Sequence, residues 1–259
     1  MAIRSFLAGA LAARAALGWI RRDPRAAELH RTNFRGRTVT LAGGPALAAG
    51  ATLGAALGAG TPRTAAAALT AGAVSGAVGF YDDMVGNRPE HKAKGFAGHL
   101  GALRDDRVTS GLVKIAGVGG AALAASALLG GRTRDVLLGA GVIAGTANLL
   151  NLLDLRPGRA IKAGLVIGAP LGGTATGALG AASALLPADL GEGIMLGDAG
   201  ANALGALLGL ALAARTGTAG RAVALTILAG LTAASEKVSF TRVIEDTPWL
   251  HRLDQLGRS

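Results

Sequence analysis

Apolar runs of about 17–22 residues recur along the chain, and short polar segments separate them. A helix of about 20 apolar residues spans the hydrocarbon core of a bilayer, because each residue adds about 1.5 Å of length. Hydrophobic residues make up 51% of the 259 residues, and the mean hydropathy is +0.45. The pattern predicts an all-α polytopic membrane protein, a bundle of about nine transmembrane helices within a range of roughly eight to ten.

Composition narrows the chemistry that such a bundle can perform. The 42 glycines and many alanines favour closely packed transmembrane helices. The absence of cysteine excludes disulfides, thiolate metal sites and a cysteine nucleophile. A net charge of +10 would suggest nucleic acid in a soluble protein, but here the basic residues cluster in short loops. We therefore expect contact with membrane lipids and phosphate groups, and no nucleic-acid partner.

The distribution of positive charge predicts a topology for a single integral membrane domain over residues 1–259. The expected spans are 2–20, 38–59, 64–81, 109–130, 133–153, 199–214 and 219–236, with 160–188 forming two short passes that break near Gly172-Gly173. Loops 21–37, 82–108 and 154–160 and the tail 237–259 are then cytoplasmic. This side, with Lys114 and Lys162 at the adjoining ends of spans, holds 19 of the 26 Lys and Arg, against five in the outer loops. The split predicts an outside N-terminus, nine passes through the plasma membrane and a cytoplasmic C-terminus.

Asn148, Asn151 and Asp154 form the most informative polar group, at the edge of an apolar run. They are spaced three residues apart, so on a helix they stack near one side of its end. One interpretation is interhelical hydrogen bonding between spans. The other is recognition of a nucleotide or a metal-bound diphosphate, since amides and a carboxylate can read the edge of a base or sugar. Polar groups at this depth are costly unless they bind something.

Ionisable residues occur at other edges of apolar runs. Asp82 and Asp83 end one run, Lys114 lies at the start of another, and Asp198 precedes a third. The structural interpretations are a span boundary for the aspartate pair, a lysine that reaches the interface, and a helix N-cap for Asp198. The functional interpretation is one active site at the cytoplasmic face. There, Asp198 is a ligand of Mg²⁺, which usually takes one or two carboxylates plus phosphate oxygens.

The order of these motifs resembles a known family. GFYDD, a lysine inside a span, NLLNLLD and MLGDAGANALG follow one another over roughly residues 30–240. This set resembles the polyprenyl-phosphate N-acetylhexosamine-1-phosphate transferase superfamily, which includes phospho-N-acetylmuramoyl-pentapeptide transferase. The resemblance implies Mg²⁺-dependent transfer of a sugar-1-phosphate from a UDP-sugar to an undecaprenyl-type polyprenyl phosphate, with release of UMP. Homodimers occur in that family, so the resemblance also allows one here.

The resemblance implies a role for each matching residue. Asp82 and Asp83 match the aspartate pair and Lys114 the loop lysine, which would make these three catalytic. Asp198 matches the metal-binding aspartate. The substrate-binding set comprises Asn148, Asn151 and Asp154, together with Asn33 and Arg35 in the basic loop RTNFRGR.

The sequence also departs from the family pattern. Pro157 stands where the family has a second aspartate, Leu155 where it has a glycine, and Ala201 where it has a serine. The histidine-rich loop and the final span are missing. Two alternatives to an active transferase are therefore kept. One is a relative that binds the lipid carrier or partner proteins without turnover, and the other is an unrelated transporter or membrane scaffold.

Overall fold

The computed structural model describes residues 1–86 and 110–258. It is 79% helical, with one two-stranded antiparallel sheet, which confirms an all-α architecture. The helices are α1 Ala2–Arg22, α2 Gly43–Leu57, α3 Pro62–Val85, α4 Ser110–Leu129, α5 Thr133–Leu153, α6 Arg159–Gly168, α7 Thr174–Leu190, α8 Gly197–Arg215, α9 Thr218–Ser235, α10 Phe240–Asp246 and α11 Pro248–Gln255. The strands are β1 His30–Thr32 and β2 Thr38–Thr40, paired with Arg31 opposite Val39.

Six helices within the described ranges are long and apolar enough to cross a membrane, namely α1, α3, α4, α5, α8 and α9. They agree with six of the expected spans. The span expected over 38–59 differs, because residues 38–40 pair in the hairpin and α2 is only 15 residues long. The segment 160–188, expected to form two short passes, contains the two helices α6 and α7, neither of which is among these six. The chain breaks between them at Gly172 and Gly173, which have φ of +57° and +54°.

Three loop boundaries shift from their expected positions. Helix α3 continues to Val85, so Asp82 and Asp83 lie in its last turn rather than in a loop that starts at 82. Helix α6 begins at Arg159, which shortens the loop expected over 154–160. The tail expected over 237–259 contains α10 and α11 and folds back on the protein. The rest of the expected loop 82–108, from residue 87 onward, lies outside the described residues.

Helix α8 forms the centre of the bundle and packs against α2, α3, α5 and α7. In its most apolar window 78% of the residues are buried, compared with 6% for α9, which packs mainly against α5. Small residues permit these approaches: a Cβ at Gly205 would lie 2.5 Å from the Ala147 Cα on α5. At another crossing, Gly9, Gly54 and Gly177 bring the backbones of α1, α2 and α7 together, and an added Cβ at Gly177 would clash with the Gly54 backbone.

The irregular segments meet at one end of the bundle, here called the polar end. It comprises the β1–β2 hairpin, the turn 154–158, the segment 191–196 and the tail. The Met195 amide donates to the Thr40 carbonyl at 2.9 Å, which ties the segment to the hairpin. This arrangement places the first turn of α8 beside the last turn of α3.

Candidate functional site

Lys114 is the centre of the site. Its Nζ lies 2.9 Å from Asp82 Oδ2 and 2.5 Å from Asp198 Oδ2. The three residues come from the end of α3, the start of α4 and the start of α8, so three separate motifs converge on one point. Their side chains are only partly buried, with 14–25% exposed, which leaves the cluster accessible from the polar end.

Asp83 has a different environment from its neighbour Asp82. Its Oδ1 accepts the Asp198 backbone N–H at 2.9 Å, and its Oδ2 accepts the Ala199 N–H at 3.0 Å. A carboxylate at the N-terminus of a helix satisfies free amides and interacts favourably with the helix dipole. Asp83 therefore caps α8 from another helix, and both of its oxygens already have partners. The N-cap interpretation of Asp198 is wrong, because the cap is supplied by Asp83.

Gly197 makes this cap geometrically accessible. It has φ of +58°, and a Cβ at this position would lie 2.8 Å from both oxygens of Asp83. Glycine is thus the residue that lets the α3 carboxylate reach the first amides of α8. In consequence, the capping of α8 fixes the position of Asp198 relative to Asp82.

Asn148 and Asn151 line a cleft of about 460 Å³ that also includes Lys114. Asn148 Nδ2 donates to Thr232 Oγ1 on α9 at 3.0 Å, as the interhelical interpretation predicts. The remaining wall is largely apolar, with Ile115 and Val118 from α4 and Leu225 and Leu228 from α9. The cleft therefore has polar groups at one part and an apolar wall along the rest.

Asp154 does not stack with the two asparagines as the spacing predicts. Helix α5 ends at Leu153, and Asp154 has a non-helical ψ of 43°. The Gly197 N–H, one residue before Asp198, is near enough to the Asp154 carboxyl group to oppose a rise of its pKa. Burial raises the pKa of Asp154 well above its ordinary value, and the carboxylates of Asp189 and Asp198 raise it further.

Asp154 lines a second, smaller pocket of about 210 Å³. The other polar or aromatic residues of this pocket are Thr32, Asn33, Phe34, Arg156, Asp189 and Glu192. The guanidinium of Arg156 lies over the Phe34 ring, 4.4 Å from its centroid. The two pockets therefore differ in character: the larger includes Lys114 and is mostly apolar, and the smaller is rich in charged groups.

The side chains of Asn33 and Arg35 are both directed to Glu192. Arg35 Nη1 lies 2.7 Å from Glu192 Oε1, and Asn33 Nδ2 donates to Glu192 Oε2. Glu192 is almost fully buried and has a positive φ of 56°, which is unusual for a residue with a side chain. These contacts attach the hairpin to the segment before α8. Of the two predicted substrate-binding residues, Asn33 lines the smaller pocket, and Arg35 contacts Glu192 in its wall.

Asn202 is a site residue that the sequence analysis missed. It lines the larger cleft and is 3% exposed, and its Nδ2 has no hydrogen-bond partner among the described residues. An unsatisfied buried amide is costly, so a polar group of a ligand would stabilise it. The sequence could have indicated Asn202 by its position one helical turn after Asp198, because this spacing puts both side chains on the same side of α8.

The residues fit a metal ion that is shared with a substrate phosphate better than one that the protein alone encloses. Within 1–86 and 110–258, no group of three or more His, Cys, Asp or Glu is arranged to hold a metal. Asp82 and Asp198 nevertheless offer hard oxygen donors on either side of Lys114. Mg²⁺ commonly takes one or two carboxylates and completes its shell with water and substrate phosphate.

Comparison with protein-family models finds no match, and neither does comparison with curated proteins. The geometry offers a lysine between two carboxylates, a helix N-terminus and two pockets of different polarity. Lysine, hard cation ligands and oriented amides are groups that neutralise and position phosphates. The arrangement is therefore suited to a reaction at a phosphate next to an apolar group.

Proposed function

We propose that the protein transfers a sugar-1-phosphate from a UDP-sugar of the UDP-N-acetylhexosamine type to a polyprenyl phosphate, releasing UMP. Such a reaction would serve the synthesis of cell-envelope glycans or glycolipids. The observation that carries this proposal is the convergence of Asp82, Lys114 and Asp198 from three distant motifs. The same motifs, in the same order, produced the resemblance to the polyprenyl-phosphate N-acetylhexosamine-1-phosphate transferases.

The two pockets suit the two substrates of this reaction. The larger cleft places Lys114 and Asn202 near the apolar side chains of α4 and α9, as an isoprenoid phosphate requires. The smaller pocket offers Phe34, Arg156 and Asp154 to the nucleotide part of the sugar donor. Lys114 lines the first pocket, and Asp154 connects the second to the start of α8, so the two phosphates would meet near Lys114.

The proposed chemistry requires positioning and charge neutralisation more than covalent catalysis. An anionic oxygen of the lipid phosphate attacks the sugar-linked phosphorus of the UDP-sugar. A bond forms between that oxygen and phosphorus, and the bond to the bridging oxygen breaks, so UMP leaves with the electron pair. Lys114 offsets negative charge on the diphosphate. Mg²⁺ held by Asp198, with Asp82 beside it, would supply further neutralisation when bound.

The proposed topology follows from the charge distribution. We place the polar end in the cytoplasm, the N-terminus outside and nine passes in the plasma membrane, counting α2, α6 and α7 as short passes. In support, 19 of the 26 Lys and Arg fall on the cytoplasmic side of this map. Short passes such as the 10-residue α6 require local thinning of the bilayer or burial in the bundle, and Ile161 and Ala160 of α6 are fully buried.

The decisive experiment measures UMP release by purified protein from a panel of UDP-sugars with undecaprenyl phosphate and Mg²⁺. We expect lipid-dependent release with one sugar, and a loss of roughly 100-fold or more in Asp198→Asn. Asp246→Asn, which changes an exposed carboxylate in the tail, is the matched control and should behave as wild type. Lack of UMP release from every sugar by folded protein would reject the transferase.

The second candidate is a relative that binds the lipid carrier without turnover. It is favoured by Pro157, which lacks the carboxylate that the resembling family has there and whose carbonyl accepts a hydrogen bond from Arg258 at 2.8 Å. Binding of undecaprenyl phosphate without release of UMP from any UDP-sugar would support this candidate.

A further inference from the structure

The C-terminal tail folds back onto the turn that follows Asp154. Arg258, the last described residue, donates from Nε to the Pro157 carbonyl at 2.8 Å. At the other side of the same turn, Arg156 lies 3.5 Å from Glu245 of α10. The tail therefore contacts two residues of the turn that forms a wall of the smaller pocket.

A buried ion pair attaches the tail to the start of α6. Arg159 Nε and Nη2 donate to Asp254 Oδ1 and Oδ2 at 2.8 and 2.9 Å, which is a bidentate pair. Only 5% of Arg159 and 6% of Asp254 is exposed. Arg159 Nη1 also donates to Thr241 Oγ1 at 2.8 Å, and Arg258 Nη2 lies 2.6 Å from Asp254 Oδ1. Arg159 thus contacts both tail helices, and Asp254 accepts from two guanidinium groups.

Lys162 completes the attachment. Its Nζ donates to the backbone carbonyls of Leu253, Asp254 and Leu256, at 3.0, 2.5 and 3.1 Å. These carbonyls belong to the last turn of α11 and to Leu256, which follows it, where a positive charge satisfies free acceptors and interacts favourably with the helix dipole. Two basic residues of α6 therefore bind the tail, one through a carboxylate and one through the end of a helix.

The opposite side of the turn is fixed by the bundle. Gly158 has φ of +72°, its N–H donates to Asp189 Oδ2 at 2.9 Å, and an added Cβ would clash with Leu190. The turn is therefore held between α7 on one side and the tail on the other. Its first residue, Asp154, lies near the Gly197 N–H and interacts electrostatically with Asp198 of the Lys114 cluster.

We infer that the tail is a clamp, and that the Asp254–Arg159 pair is a positioning element for the Asp154 turn and its nucleotide pocket. This inference rests on the proposed function in naming a nucleotide as the ligand of that pocket. Pro157, which stands where the resembling family has its second aspartate, takes part in the clamp through its backbone carbonyl. In this protein, contacts from the tail hold the turn in place of that side chain.

The test compares Asp254→Asn with Asp246→Asn in the full-length protein in lipid nanodiscs. The first substitution weakens the buried pair, and the second changes an exposed carboxylate of the same tail. We expect Asp254→Asn to accelerate tryptic cleavage of the tail and hydrogen exchange in residues 154–160, each by at least about tenfold. The KM for the UDP-sugar should rise by about tenfold, while the KM for the lipid phosphate and kcat stay within about twofold.

Two further variants keep the test informative if Asp254→Asn fails to fold. Arg258→Gln removes the bond to the Pro157 carbonyl but leaves the bidentate pair, and should show the same changes to a smaller extent. Asp254→Glu retains the charge and should restore slow cleavage and exchange, which a loss of general stability would not predict.

The outcomes separate failure of the clamp from failure of the transferase. Equal cleavage and exchange in Asp254→Asn and Asp246→Asn would overturn the clamp. Faster cleavage with unchanged exchange at 154–160 would show that the tail is attached but does not position the turn, which also overturns the inference. If wild-type protein releases no UMP, the proposed function fails, and the exchange measurement alone still decides whether the tail positions the turn.

Discussion

At the scale of single residues, Lys114 is the group on which the site depends most. It separates two carboxylates that would otherwise repel each other in a partly buried environment. Further acidic groups, Asp83, Asp154 and Asp189, lie nearby, so the polar end gathers several carboxyl groups around one lysine. Their closeness and burial raise the pKa of Asp154 and so favour its protonated form. Such a site favours the approach of a cation, and through it a phosphate.

Replacing Lys114 should therefore affect stability as well as activity. We expect Lys114→Met to destabilise the fold by roughly 1–3 kcal/mol, because it leaves two carboxylates close together, with solvent exposure reducing the full cost of a buried pair. Lys114→Arg retains the positive charge and should lose less stability than Lys114→Met. The thermal unfolding midpoint in detergent measures this difference. A midpoint for Lys114→Met equal to that of wild type would contradict the role of the lysine in joining α3 and α8.

Asp83 and Asp82 should differ when each is replaced, although they are adjacent. Asp83→Ala removes a helix cap and should cost about 1 kcal/mol of stability, whereas Asp83→Asn can still accept one amide hydrogen bond and should cost less. Neither change should alter the Mg²⁺ concentration needed for half-maximal UMP release, while Asp82→Asn should raise it. A change in Mg²⁺ dependence for Asp83→Asn would show that capping is not its main role.

At the scale of elements, apolar length and glycine content determine most of the fold. The six long helices were predictable because each contains a nearly uninterrupted apolar run, and the break at Gly172-Gly173 followed from two adjacent glycines. The β1–β2 hairpin was missed, because three-residue strands carry no recognisable period. The stacking of Asp154 with Asn151 was wrong, because it assumed that the helix continues to Asp154, whereas α5 ends at Leu153, where the expected span also ended.

Site residues could be predicted only where a local motif marked them. Asp82, Lys114 and Asp198 followed from their positions at the edges of apolar runs. Glu192 and Asp254 could not be found in this way, because their partners lie 157 and 95 residues away in sequence. Pairings over such distances depend on how helices pack, which a single sequence does not reveal.

The glycine contacts between helices give a prediction at this scale. Gly177→Ala should destabilise the bundle strongly, or prevent folding, because a Cβ there clashes with the α2 backbone at Gly54. Gly119→Ala on α4 is the matched control, since nothing lies within 4 Å of its added Cβ. The control should be neutral or slightly stabilising, given the higher helix propensity of alanine. Expression and thermal midpoints in detergent measure both, and equal midpoints would argue against the tight α1–α2–α7 crossing.

At the scale of the whole molecule, the attachment of the tail to the rest of the polar end should be sensitive to acid. Burial alone would raise the pKa of Asp254, but the hydrogen bonds from Arg159 and the charges of Arg159 and Arg258 outweigh it and lower the pKa. A carboxyl group whose pKa is lower in the folded protein stabilises the fold at any pH above its unfolded pKa of about 3.9. This stabilisation is lost as the pH falls through its folded pKa. The clamp is therefore complete at neutral pH.

We accordingly expect the tail to detach below about pH 4, before the membrane helices unfold. Hydrogen exchange of residues 237–258, measured between pH 7 and pH 3 and corrected for intrinsic rates, should show this release. In Asp254→Asn the tail should already exchange rapidly at pH 7, with little further change on acidification. Equal exchange of the tail in wild type and Asp254→Asn at pH 7 would contradict the ion pair as the source of attachment.

The proposed topology is testable because the chain has no cysteine of its own. Ser239→Cys in the tail should resist a membrane-impermeant maleimide applied to intact cells, and should react after the cells are opened. Arg132→Cys, in the connection between α4 and α5, should react from outside. Labelling of Ser239→Cys on intact cells would place the tail on the outer side and reverse the map.

The sparse packing of α9 has a consequence for how a hydrophobic reactant would reach the site. This helix forms one wall of the larger cleft, yet only 6% of its most apolar window is buried. A chain-bearing reactant could slide in sideways from the surrounding leaflet without passing through water. The reactant would then find the site by diffusion within the plane of the membrane, so the turnover rate would depend on its mole fraction in the bilayer. Dilution with inert phospholipid, at a constant total amount of the reactant, would slow the reaction.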